Sequence, residues 1–127
     1  MLKNGIEITP ESSIIRSEFI LTSSFLLLNA KPELHAALMN KILEVYEEIE
    51  LEKLIPGARE SLPLLKLAAL NALGETVKMR EYFRGAMLGR KFQNPDVADQ
   101  AERLITAPNL TAREAFEPVI NLISFEE

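Results

Sequence analysis

The hydrophobic residues of this chain fall into blocks separated by proline and glycine, and within the blocks their spacing is helical. Between Pro32 and Leu54, the residues Leu34, Leu38, Ile42, Val45, Tyr46 and Ile49 return at three- and four-residue steps. Glu44, Glu47 and Glu48 fall on the other side. This pattern predicts an amphipathic helix over 32–54, stopped by Pro56-Gly57. Upstream, Thr9-Pro10-Glu11 has the form of a helix start: a hydroxyl cap, a proline in the first turn and an acid at the positive end of the helix. The helix that follows, over 10–28, carries apolar residues on all sides, including Ile14, Ile15, Phe19, Ile20, Phe25, Leu26 and Leu27. Such a helix is either central and heavily buried, or has a second face that meets another chain. A strand over 19–28 is the alternative, because a short apolar run fits both.

A third helix is expected over 61–90, capped near Ser61 with Pro63 in its first turn and apolar through Leu64, Leu65, Leu67, Leu70 and Leu73. Asn94-Pro95-Asp96 repeats the cap, proline and acid order and opens a fourth, over 95–106. Thr111-Ala112-Arg113-Glu114 is a capping box, in which hydroxyl and carboxylate each accept a free amide of the first turn. It starts a fifth, over 111–124, which Pro118 must kink or shorten. The fold class expected is all-α: one compact bundle of about five helices, with residues 1–127 as a single domain.

Composition narrows the function classes. A chain of 127 residues with 47% hydrophobic and 26% charged residues can bury a core without staples. It has no cysteine, which excludes disulfides, thiolate metal sites and cysteine nucleophiles. The N-terminus lacks the basic-then-apolar pattern of a secretory signal, and the apolar run 19–28 is half the length of a membrane span. A cytoplasmic, non-membrane protein is expected. The net charge of −5 makes it an acidic protein and weighs against nucleic acid as a partner.

The charge is uneven along the chain. Acids gather at Glu44, Glu47, Glu48, Glu50 and Glu52, and bases at Lys78, Arg80, Arg84, Arg90 and Lys91. On an unbroken third helix Arg80, Arg84 and Lys91 form one stripe, complementary to Glu44, Glu47 and Glu48 on the second helix or on a partner's. The stripe also fits a phosphate or nucleic-acid ligand, and the acids fit a carboxylate metal site of the hydrolase type. That site lacks the Glu-x-x-His pairing or a second acidic pair to complete it. His35, the one histidine, reads as a half-buried residue near a helix N-terminus. Gly85 and Gly89 stand in a G-x-x-x-G spacing and share a line with Gly74 if the helix runs on. Such a line suits close approach by another helix; the other explanation is that the helix ends there.

Leu110-Thr111-Ala112-Arg113-Glu114-Ala115 resembles the opening of the DNA-binding domain of LuxR-type regulators. The resemblance covers six residues, Pro118 departs from it at once, and no DNA-binding role is carried over. No cofactor is indicated. The function expected is non-enzymatic protein–protein interaction, as an adaptor, assembly factor or small regulator that self-associates. The partner is then a protein or a second copy, contacted through Arg80, Arg84, Lys91, Gly85, Gly89, Glu44, Glu47 and Glu48.

Overall fold

A computed structural model describes residues 2–3, 6–7, 10–54 and 56–124. Six α-helices fill it: α1 Pro10–Asn29, α2 Pro32–Tyr46, α3 Pro56–Ala72, α4 Thr76–Ala86, α5 Pro95–Thr106 and α6 Ala112–Ser124. A 3-10 turn, Leu51–Lys53, follows α2. Ahead of α1, β1 (Leu2–Lys3) pairs antiparallel with β2 (Ile6–Glu7), Leu2 facing Glu7 and Lys3 facing Ile6. The expected all-helical class is correct, with six helices where five were expected. The expected hydroxyl cap at Thr9 lies outside the described residues.

The extra helix comes from one residue. Gly74 takes a positive φ of 79°, the left-handed conformation that ends helices, because a side chain there would crowd the backbone. The Glu75 amide donates to Leu70 O and the Gly74 amide to Asn71 O, closing a Schellman turn. The helix expected over 61–90 is therefore two helices, α3 and α4. Its start also moves: α3 begins at Pro56, and Pro63 lies inside it. Ser61 is no cap; its hydroxyl donates to Gly57 O one turn back. The helix expected over 32–54 ends at Tyr46, so Glu47 and Glu48 lie in the turns beyond it.

α3 is the central helix, packed against each of the other five. From Ser61 to Asn71 every residue but Lys66 is buried. The core around it takes Ile20 and Leu27 from α1, Met39, Ile42 and Tyr46 from α2, Met79 from α4, Val97 and Leu104 from α5, and Phe116 and Val119 from α6. Asn71, 1% exposed, holds the far end: its amide donates to the Leu104 and Ala107 carbonyls and its oxygen accepts the Leu110 amide. A buried amide with three bonds meets the demand that polar groups be satisfied once water is excluded.

Asn94 Oδ1 accepts the Asp96 amide at 3.0 Å, the expected cap of α5. Thr111 and Glu114 form the expected capping box, at 3.1 and 3.0 Å. Pro118 remains inside α6. Having no N–H, it cannot bond the Glu114 carbonyl one turn earlier. Arg103 on α5 fills the gap, donating to Glu114 O at 3.2 Å and Ala115 O at 3.1 Å. A proline that would weaken a lone helix thus becomes the point at which α5 and α6 are joined.

Candidate functional site

α1 is inside out. Its inward face carries Ser13, Ser17, Ser23 and Ser24, all buried, and among its described side chains only Ile20 and Leu27 are apolar and fully buried. Its outward face carries Ile14, Ile15, Phe19, Phe25 and Leu26, between 42% and 67% exposed. Serine is tolerated inside because its hydroxyl can bond back to the helix's own carbonyls. Ser17 donates to Ile14 O at 2.7 Å and Ser24 to Ile20 O at 2.8 Å, while Ser13 Oγ accepts the Glu50 amide. The small inward face lets α1 lie against α2 and α6. The large side chains are left outside, and the expectation that α1 is central and buried is corrected: that place belongs to α3.

At about 100° per residue the five outward side chains occupy one arc, with Glu11, Glu18 and Thr22 along its middle. Ile15, Phe19 and Leu26 form the flank nearer α2; Ile14 and Phe25 form the other. Beside the first flank lies a hollow of about 340 Å³, bounded by Ile15, Arg16, Phe19, Glu44, Val45 and Glu48. One guanidinium nitrogen of Arg16 is buried there without a hydrogen-bond partner. Five large apolar side chains on one arc of a helix exceed the single, scattered apolar residues of an ordinary monomer surface.

Of the charged residues singled out in the sequence, Glu44, Glu47 and Lys78 line one concavity between α2, α3 and α4, which Arg80, Arg84 and Lys91 do not line. Glu44 pairs with Lys41 at 3.2 Å on its own helix, Glu47 with Lys66 of α3 at 3.2 Å, and Glu48 faces the hollow beside α1. Among the described residues no three potential metal ligands cluster. Arg80 and Arg84 sit one turn apart on α4, both exposed. Lys91 lies in the loop beyond Gly89 and does not extend their stripe, since α4 ends at Ala86. The ion pair that ties the acidic stretch to another helix uses Lys66, which the charge pattern did not single out.

The glycine line is likewise dissolved. Gly74 breaks the helix, Gly89 has a positive φ of 77° in the loop after α4, and Gly85 alone is helical. A Cβ at Gly85 or Gly89 would meet nothing within 4 Å, so among the described residues no helix packs in contact with either. His35 is half-buried, as expected, and its Nε2 donates to Ala30 O at 3.1 Å.

The concavity between α2, α3 and α4 has a volume of about 630 Å³. Tyr82 and Lys66 line it; Tyr82 shares a hydrogen bond with Tyr46, and Lys66 Nζ lies 4.9 Å from the Tyr46 ring centre and 4.5 Å from that of Tyr82. Burial raises both phenols above their ordinary range, Tyr82 to about 12, since a phenolate would be poorly solvated there. Lys66 is already held by two rings and Glu47. The arrangement is that of an internal cation–π clamp between helices.

Comparison with family models, with curated proteins and with solved structures found no match. Among the described residues no helix is long and apolar enough to cross a membrane.

Proposed function

We propose that this chain is a non-enzymatic protein-interaction module, an adaptor, assembly factor or small regulator, that self-associates through the outer face of α1. The observation that carries this reading is the inversion of α1, which gives its core face to serines and its solvent face to five large apolar side chains. Burying such a face is the main favourable term in association. The absence of cysteine suits work in the reducing cytoplasm.

Light scattering at micromolar concentration tests the proposal. The mass should exceed the 14.3 kDa of one chain, and Phe19→Glu should return it to that value with helicity unchanged, because the side chain already reaches solvent. A wild-type chain that stays monomeric across a wide concentration range overturns it.

A second reading rests on Arg80 and Arg84, exposed one turn apart on α4 as a receptor for phosphate groups. It requires binding to a nucleic acid that falls steeply with salt and disappears in the Arg80→Glu, Arg84→Glu double variant.

A further inference from the structure

Resting on the self-association proposed above, we infer that the occupant of the α1 face is α1 of a second copy running antiparallel, with the partner's Leu26 seated in the hollow beside Ile15 and Phe19.

The direction follows from the charges. Glu11 is exposed at the start of the helix, on the midline of the apolar arc, and Lys31 is exposed just past its end. Parallel pairing sets Glu11 beside its own copy and brings Glu18, which lies within the arc, close to its own copy in an apolar seam. Like charges in that position oppose association. Antiparallel pairing instead brings Glu11 to the partner's Lys31 and separates the two copies of Glu18.

The register follows from the same pairing. With Glu11 opposite the partner's residue 30 and its carboxylate reaching the neighbouring Lys31, the two-fold axis passes between positions 20 and 21. Ile15 then stands opposite the partner's Leu26, Phe19 opposite its Thr22, and Glu18 within one residue of that Thr22, whose hydroxyl can donate to the carboxylate. A two-fold axis of this kind sets each flank against the same flank of the partner. The flank of Ile15, Phe19 and Leu26 therefore meets itself, next to the hollow walled by Val45. A leucine entering a recess between two helices is knob-into-hole packing. The strip from Ile14 to Leu26 is about 18 Å long. It offers on the order of 500 Å² per copy, which with its polar margin reaches the size of a reversible dimer rather than a permanent one.

The cysteine-free chain permits a direct test with two single variants, Ile15→Cys and Leu26→Cys, mixed under mild oxidation. The inference expects the mixture to give a covalent dimer joining 15 to 26, and each variant alone to give several-fold less. Glu11→Lys should weaken the dimer about fivefold, and adding Lys31→Glu to the same chain should restore it. Efficient linking of Ile15→Cys to itself means parallel pairing and overturns the inference. So does a chain that scatters as a dimer but links in no combination; in that case self-association stands and this geometry falls. A wild-type monomer overturns both.

Discussion

The phenolic oxygens of Tyr46 and Tyr82 lie 2.5 Å apart, tying α2 to α4 with their rings edge to face. These are the only tyrosines in the chain, which also lacks tryptophan, so every tyrosine signal reports on this one contact. In the unfolded chain each phenol ionises near its ordinary value of about 10. In the folded chain Tyr82 holds its proton to about 12 and Tyr46 beyond that. Above pH of about 10 the unfolded state therefore binds fewer protons than the folded one, and stability falls as pH rises. Tyrosinate absorbance should stay low until helical ellipticity is lost, the two changing together. Tyrosinate appearing near its ordinary pH in a chain that keeps its ellipticity would contradict the buried pair.

Glu114 gives the opposite dependence. The amide and hydroxyl of Thr111 bond its carboxylate and hold it below the usual carboxylate range. Its contribution is present above the ordinary carboxylate pKa and is lost as pH falls through the lowered one. Wild type and Glu114→Gln should differ in melting temperature at neutral pH and converge in strong acid. A difference that persists unchanged into acid would remove the charge from the explanation.

Two glycines should respond in opposite senses. Gly85 is helical and exposed with free space around it, so Gly85→Ala should stabilise by about 0.5–1 kcal/mol. Gly74 is left-handed and a Cβ there would stand 3.2 Å from Asn109 Oδ1, so Gly74→Ala should cost about 1–2 kcal/mol. Urea melts of the two variants decide this, and changes of the same sign would place the helix break elsewhere.

Arg103 and Pro118 should be energetically coupled. Arg103→Ala removes two bonds to carbonyls of α6 and should cost about 1–3 kcal/mol. In a Pro118→Ala background the helix supplies its own N–H to Glu114 O, and the same change should cost less. A double-mutant cycle with no coupling energy would separate the two residues.

These relationships differ in how far the sequence revealed them. The cap at Asn94 and the box at Thr111 were legible because side chain and target amide are two or three residues apart. α5 fell on its expected bounds for the same reason. The break at Gly74 was obscured because leucines continue on both sides of it, and apolar spacing does not register the sign of φ. The junction of Arg103 with Pro118 joins two elements, and the sequence showed only the bond the proline lacks. At α1 the surplus of apolar residues was visible, along with the possibility of a second face. The clue to which face points inward was Ser13, Ser17, Ile20, Ser24 and Leu27, recurring every three or four residues. That is a core stripe written mainly in serine, and a hydropathy pattern passes over it.

The serine face also bears on how α1 is retained. With Ile20 and Leu27 as its fully buried apolar side chains, this helix gains less from docking than α3, whose burial is nearly continuous. Amide hydrogens of α1 should exchange through local opening well before those of α3, which should exchange only on global unfolding. Under the proposed pairing, a copy laid along the outer face would remove water from the side the core neglects, and so select the closed state. Dilution would then loosen α1 as well as separate the chains, making the docking of this helix and the pairing of two chains one linked equilibrium.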